Sequence, residues 1–411
     1  MKHIAVLSNS YYPIMGAPSA VIDKYIKEME FNYSFHIVTK TSAYDVSPSL
    51  EYDLYYITNF RHNLYKRCLY YINKHHYVVF YKILLILLRI YAVIQTHFLF
   101  PSSNRWEINA YYNKLKEIYN IYKFNTIIAV SDYYVTQMAA LKFKKKNPQV
   151  KWILFATDPY SENYVYYKHK LFKNIWKRLN YHKEQEIYRV ADSCMFSSEL
   201  YNYVLTAFNV DKYKVFSFNY PLLSRLSSSN NKDYRGEICK IMFAGMVYRE
   251  IRNPEFALWV LSNVNNIHLD LYINRGECED IISRFLSPTI HRNQFVSREK
   301  YERMIRDEYD ILLNIGNYNT LQAPSKMVEL LSTGKPIINF YFTEDTQYKM
   351  IEKYPLGLNV KNQEEKAIEK IINFCSEMRG KRLPFREVEK LYPENNLQYQ
   401  VNLLEKIINS N

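Results

Sequence analysis

Paired cysteines are missing from this 411-residue chain. The five present, Cys68, Cys194, Cys239, Cys278 and Cys375, are odd in number, and none sits in a CxxC. That counts against a disulfide framework or a zinc knuckle, and scattered thiols fit a reducing compartment. The features of a leader are not seen in the opening stretch either. MKHIAVLSNS reads as a buried strand, without the longer apolar core and small-residue cleavage site of a signal peptide. Both absences point to the cytoplasm. No GxGxxG follows the first strand, which disfavours a nicotinamide dehydrogenase. No DxD carboxylate pair occurs either, so neither a cofactor nor a bound metal is expected to carry the chemistry. Repeats at solenoid spacing and low-complexity tracts are absent. The 41 tyrosines are dispersed and carry no signal.

What is present is a globular balance, 48% hydrophobic and 23% charged. A single core stops growing near ~250–300 residues, so two domains are expected. The net charge of +13 is uneven: residues 1–200 hold 26 Lys+Arg against 15 Asp+Glu. A basic half implies an anionic partner, whether nucleic acid, anionic lipid or a phosphorylated acceptor, unless it is only a solvated surface. Nucleic acid is the weakest of these, because KFKKKNPQVK (142–151) is too local and lacks a recognition motif.

Short apolar runs alternate with helical stretches along the first half. Strands are predicted at 3–8, 35–40, 126–131, 152–157 and 194–197, with helices at 19–30, 107–122, 133–146 and 169–190. The pattern restarts with strands at 240–245, 268–273, 310–315 and 336–341. Helices follow at 254–263, 277–287, 298–307, 325–333 and 362–377. Near-continuous apolar runs fit strands buried on both faces, and the alternation predicts parallel α/β sheets. The turn-rich SSSNNKDYRGE (227–237) is the natural linker. One segment breaks the rhythm. YVVFYKILLILLRIYAVIQTHFLF (77–100) sets the run Ile83 to Leu88 between Lys82 and Arg89. Its uncharged core is short for a span of ~20 residues. It reads as a helix lying in the membrane plane with its cations snorkelling outward, or as an ordinary core helix.

Three loops carry candidate chemistry. QAPSKMVELLSTGKPII (322–338) follows one strand and precedes the next, so it opens a helix at the carboxyl edge of a parallel sheet, where open α/β sheets bind ligands. There Ser325 can cap the helix, Lys326 and the helix start can receive phosphate, Glu329 can accept from ribose hydroxyls, and Gly334 stops the helix. FAGMVYREIRNP (243–254) ends a strand at Gly245 and offers Arg249 and Arg252, whose planar guanidinium groups suit a pyrophosphate. YPIMGAPS (12–19) follows the first strand, and Gly16 lets backbone approach a ligand. Asp158, in ATDPYSEN, is a candidate base or sugar-hydroxyl binder, or simply a turn former beside Pro159.

Together these stretches resemble the GT-B glycosyltransferases, specifically glycosyltransferase family 4 of bacterial surface-polysaccharide synthesis (capsule or O-antigen). The loop at 240–254 is similar to that family's phosphate loop, and PSKMVELLSTGKPII to its donor-binding helix. FPSSNRWEINA (100–110), NTIIAVSDYY (125–134), WILFATDPYSEN (152–163) and VADSCMFSSEL (190–200) resemble its N-terminal domain. The resemblance implies two Rossmann-like parallel-sheet domains facing across a cleft. Residues 1–217 would form the acceptor domain, 218–393 the nucleotide-sugar donor domain, and 394–411 a helix returning to the first. It implies a metal-independent hexosyltransferase that moves a sugar from a nucleotide sugar to a lipid-linked saccharide, peripheral at the inner face of the membrane, with retention of configuration. Two features depart from the family. The first of its paired glutamates falls on Leu321, and its histidine has no counterpart in Ala156–Thr157–Asp158. A nucleotide-sugar epimerase of the same fold and a catalytically silent scaffold are the alternatives.

Overall fold

The structure, a computed structural model, describes residues 1–11, 15–40, 53–57, 60–98, 105–131, 134–163, 167, 171–227, 238–318, 321 and 325–410. Residues 12–14, 100–104, 132–133, 228–237 and 322–324, parts of stretches singled out above, lie outside it. The chain divides into two compact units, Met1–Phe218 with Val401–Asn411, and Asn219–Gln400.

The first unit is a seven-stranded parallel sheet of order β3-β2-β1-β4-β5-β6-β7. Its strands are β1 (Lys2–Leu7), β2 (Tyr33–Lys40), β3 (Asp53–Ile57), β4 (Thr126–Ser131), β5 (Lys151–Ala156), β6 (Ser193–Ser197) and β7 (Val215–Phe218). Helices α1 (Ala17–Met29), α2 (Phe60–Asn73), α3 (Val78–Phe98), α4 (Arg105–Tyr122), α5 (Tyr134–Lys146), α6 (Lys173–Val190) and α7 (Ser198–Ala207) lie between them. Central strands are mostly apolar because helices cover both faces. In register, Val6 faces Ile37 on one side and Ile128 on the other, and all three are fully buried. Trp152 on β5 is 0% exposed, so truncating it to Ala costs about 3–5 kcal/mol. The C-terminal end of the chain completes this unit, with Asn409 Nδ2 donating to Tyr33 Oη at 2.9 Å and Lys151 Nζ to the Ser410 carbonyl at 2.6 Å.

The second unit has six parallel strands in the order β10-β9-β8-β11-β12-β13. They are β8 (Cys239–Ala244), β9 (Ile267–Tyr272), β10 (Ile290–Asn293), β11 (Ile311–Ile315), β12 (Ile337–Tyr341) and β13 (Gly357–Lys361). Its helices are α8 (Glu255–Ser262), α9 (Glu279–Phe285), α10 (Arg298–Asp307), α11 (Lys326–Ser332), α12 (Thr346–Lys353), α13 (Ala367–Met378), α14 (Phe385–Leu391) and α15 (Leu397–Asn409), the last running into the first unit. One apolar cluster packs α8, α9 and α13 on one sheet face, and a second packs α10, α11 and α14 on the other. A line of amides crosses the sheet: Asn314 Nδ2 donates to Asn339 Oδ1 at 2.7 Å, and Asn339 Nδ2 to Asn359 Oδ1 at 2.8 Å. Each lies in register with the next, so these buried polar groups satisfy one another. In both units the strand order reverses beside the first strand, between β1 and β4 and between β8 and β11. That switch point is where ligands bind in open α/β sheets.

Helix α3 is not an ordinary core helix. Over Val78–Gln95 its mean hydropathy is 2.0, yet only 11% of that window is buried. Leu85 turns inward at 7% exposure, whereas Ile83, Ile86, Leu87 and Ile90 are all at least half exposed. By length and composition alone the helix is also long enough to cross a membrane, which the short uncharged run in the sequence did not suggest. Tyr71 of α2 stacks on Tyr81 of α3, with ring centroids 4.8 Å apart. At the far end Trp176 Nε1 donates to the His97 carbonyl at 3.2 Å. Beside that contact, Leu171, Phe172 and Ile175 are exposed as well.

Candidate functional site

The loop after β8 is folded back on itself. Tyr248 and Arg252 form an isolated antiparallel bridge, with Arg252 N donating to the Tyr248 carbonyl at 2.8 Å. This tight return brings the Arg252 guanidinium back to the strand end. Its Nε donates to Asn317 Oδ1 at 2.9 Å and its Nη1 to the Met246 carbonyl at 3.3 Å. From the opposite side of the switch point, Lys326 Nζ donates to the Ala244 carbonyl at 2.6 Å and lies 5.2 Å from the centre of the Tyr301 ring. Gly245 sits between them. A Cβ there would lie 3.5 Å from Arg252 Nη1 and 3.8 Å from Lys326 Nζ, so glycine leaves open the space that both cations face.

These cations are poorly solvated. Burial pulls the Arg252 guanidinium down to about 10. Burial also lowers Lys326 to about 8, with Arg252 and Arg298 adding repulsion and Glu329 opposing it. Like charges held this way are stabilised when an anion enters between them. Among the described residues, neither cation is ion-paired in the way Arg298 is. Arg298 Nη2 donates to Glu329 Oε1 at 2.8 Å and its Nε to Glu302 Oε1 at 2.6 Å. Burial works against the charge on Arg298, but the two carboxylates outweigh it and hold the group firmly protonated. Arg225 also grips Glu302, through Nε at 3.0 Å and Nη2 at 2.9 Å, and holds that carboxyl at about 2.

Several sequence expectations change here. Ser325 precedes α11 in a helical conformation, φ −60° and ψ −16°, and its side chain makes no cap bond. Glu329 is not an idle acceptor, because Arg298 occupies one oxygen. Arg249 turns away to Asp280 at 2.6 Å and lines a separate groove of about 750 Å³ with Asn253, Phe256 and Trp259. Gly334 does end α11. Its φ is +72°, and a Cβ there would meet the Leu383 carbonyl oxygen at 2.1 Å, so only glycine fits. Leu321 lies among the described residues, but its neighbours on both sides do not.

On the first unit, Gly16 is the N-cap of α1 with φ −69° and ψ 162°, and its N–H donates to Ser10 Oγ at 3.1 Å. That conformation is open to any residue, so no positive φ demands the glycine. Asp158 is exposed on the turn after β5, with Thr157 Oγ1 donating to its Oδ2 at 3.1 Å. The turn is fixed from beneath by Glu184 of α6, which is 1% exposed. It accepts from Tyr160 N at 2.9 Å, Ser161 N at 3.0 Å, Ser161 Oγ at 2.5 Å and Tyr188 Oη at 2.6 Å. Burial raises the Glu184 pKa, while these hydrogen bonds pull the other way. Sequence reasoning missed Glu184, Arg298, Asn317 and Tyr301. Each lies far along the chain from the motif it serves, and only the unbroken helical pattern around Glu184 and Arg298 was visible.

No family model and no curated protein matches this sequence. The fold has many solved counterparts. Sucrose-phosphate synthase from Thermosynechococcus elongatus superposes with a TM-score of 0.66 at 12% identity, covering 99% of this chain and 98% of that one. HepE from Anabaena, in complex with UDP-glucose, superposes with a TM-score of 0.63 at 10% identity, over 100% of both chains. WaaG, a glycosyltransferase involved in lipopolysaccharide biosynthesis, gives 0.61 at 10% identity over 99% and 100%. The chain therefore has the GT-B fold, two parallel-sheet α/β units of seven and six strands.

Proposed function

We propose that this protein is a glycosyltransferase that takes a sugar from a nucleotide sugar and adds it to a lipid-linked saccharide in surface-polysaccharide synthesis. The observation that carries the reading is the convergence of Arg252 and Lys326 on the open side of Gly245. Two desolvated cations at the switch point are suited to a diphosphate, and most of all to the charge it gains on departure. Ser325, which makes no cap bond, adds a hydroxyl donor to the same phosphates. Glu329, oriented by Arg298, takes ribose hydroxyls through its other oxygen. Asp158 on the first unit serves the acceptor or the transferred sugar. No metal is needed for this chemistry, and the anomeric configuration is retained. HepE in complex with UDP-glucose supports the donor class, and WaaG, from lipopolysaccharide biosynthesis, supports the pathway.

The exposed apolar face of α3 and the excess of basic residues before 200 support a peripheral position at the inner membrane face, where a lipid-linked acceptor resides. Donor turnover with and without a lipid-linked acceptor tests the whole reading. Acceptor-dependent release of nucleoside diphosphate is the expected result. Interconversion of the sugar without acceptor makes the protein an epimerase, and tight donor binding without any turnover makes it a scaffold. Liposome flotation tests the membrane part. Wild type floats with anionic vesicles, and Ile83→Glu with Leu87→Glu, both at exposed positions, abolishes flotation while leaving the circular dichroism unchanged. Wild type that ignores vesicles of every composition contradicts the membrane assignment.

A further inference from the structure

His268, Asp270 and His291 form a cluster that the proposed sugar-transfer chemistry does not use. His268 and Asp270 are alternate residues of β9, so they share one face of the strand. His291, on the edge strand β10, stands opposite Asp270 in the parallel register. One ligand atom from each of the three lies within 4.8 Å of the other two. The imidazoles of His268 and His291 meet edge to face, with ring centroids 4.6 Å apart.

The spacing distinguishes an ion pair from a metal site. His268 Nε2 lies 3.4 Å from Asp270 Oδ2. A charge-assisted hydrogen bond between such groups is about 2.7–2.9 Å, so this pair is too long for a good one. Ligand atoms sharing a tetrahedral zinc, each at about 2.0–2.2 Å from the ion, are roughly 3.3–3.5 Å apart, which matches the His268–Asp270 separation, and His291 lies within 4.8 Å of both. The carboxylate is also held in place: Asn293 Nδ2 donates to Asp270 Oδ1 at 2.7 Å and Tyr309 Oη to Oδ2 at 2.8 Å. Tyr309 is itself tied to Tyr272 Oη at 3.1 Å. Hydrogen bonds of this outer kind orient metal ligands and typically change affinity 10–100-fold.

We propose that His268, Asp270 and His291 bind one Zn²⁺, with water in the fourth position, and that the ion pins the four-residue edge strand β10 to β9. Two imidazoles and one carboxylate suit zinc better than calcium or magnesium, which prefer all-oxygen shells. The residues belong to neither sequence motif assigned to the donor, so failure of the zinc site leaves the glycosyltransferase reading intact, and the reverse also holds.

The test is calorimetric titration of Zn²⁺ into the untagged full chain after dialysis against a chelator. The expected result is one high-affinity site per chain and a melting temperature that rises with zinc. His268→Ala and His291→Ala should each weaken that site at least tenfold and remove the thermal shift. Because His291 is exposed, its variant keeps the fold, and a wild-type circular dichroism spectrum checks that. Asp270→Asn, which retains an oxygen for Tyr309, should weaken binding as well. Co²⁺ substitution should give visible absorption bands of four-coordinate cobalt in wild type alone. Absence of a stoichiometric site in wild type, or a site of unchanged affinity in both histidine variants, overturns the proposal.

Discussion

The ligand edges of the two sheets are built alike and lined differently. In the six-stranded unit, the strand ends around the switch point present cations held by neutral partners: Arg252 on an amide and a carbonyl, Lys326 on a carbonyl. In the seven-stranded unit the corresponding ends hold hydroxyls and carboxylates, most of them buried and paired with one another. Ser8 Oγ and Ser19 Oγ lie 2.6 Å apart, Tyr11 Oη donates to Asp23 at 2.7 Å, and Asp158 sits on a turn braced by Glu184. One winding therefore makes two chemistries, because the sheet fixes only where loops end and the loop residues decide what they hold. A cationic edge suits a diphosphate.

The largest effect expected from this contrast is on stability, in the seven-stranded unit. Glu184→Ala leaves two backbone N–H groups and two hydroxyls without their acceptor, and should cost about 3–4 kcal/mol in denaturant unfolding. Glu184→Gln, which retains one oxygen, should cost less. Nucleotide affinity measured on the remaining folded protein should be unchanged, since the proposed nucleotide site lies in the six-stranded unit. Loss of nucleotide binding in Glu184→Gln would blur the division between the two edges.

Next in size is the donor side. Arg252→Ala and Lys326→Ala should each weaken nucleotide-sugar binding by about 1.5–3 kcal/mol, the worth of a charge-assisted hydrogen bond. Arg249→Ala should leave it nearly unchanged, because its guanidinium is exposed and engaged with Asp280. A larger loss for Arg249 than for Arg252 would mean that the site lies on the groove side of the loop.

Which strands could be read from the sequence follows a physical line. Inner strands such as β4, β5, β6, β11 and β12 were visible as apolar runs because both of their faces are covered. The four missed strands, β3, β7, β10 and β13, are the two edges of each sheet. Their residues are mostly half-exposed, as in DLYYI and GLNVK, so they carry no run to detect. The site was legible where it is local: Gly245, Arg252 and Lys326 come from loops that the strand pattern places on one sheet edge. The partners that decide its electrostatics were not. Arg298 reads as the first residue of an ordinary helix capped by Ser297, and only packing of α10 against α11 brings it to Glu329. The exposure of α3 was equally invisible, since an apolar helix looks the same in a core and on a surface.

A smaller effect concerns pH. Lys326 holds its proton below about 8 in the free protein, whereas the unfolded chain holds it to about 10.5. Between those values the unfolded state binds more protons, so this group's contribution to stability becomes more favourable as pH rises. Donor affinity moves the other way. It should be flat below pH 8 and fall by up to about tenfold per unit above it, as the ammonium is lost. Lys326→Arg, charged throughout, should remove that fall. An unaltered pH profile in the arginine variant would place the titration elsewhere. Smallest of all, Ser325→Ala should change stability by less than about 0.5 kcal/mol, because no cap bond is lost. A thermal melt shows this directly, and a loss above about 1 kcal/mol would restore the capping role.

The central claim is that the six-stranded unit binds a diphosphate between Arg252 and Lys326. Isothermal titration of a panel of nucleoside diphosphates into wild type, both single variants and the Arg252→Ala/Lys326→Ala double variant tests it most directly. The expected result is one site per chain in wild type, weakened in each single variant and undetectable in the double variant, whose unfolding transition stays cooperative. Wild-type affinity retained in the folded double variant would contradict the account.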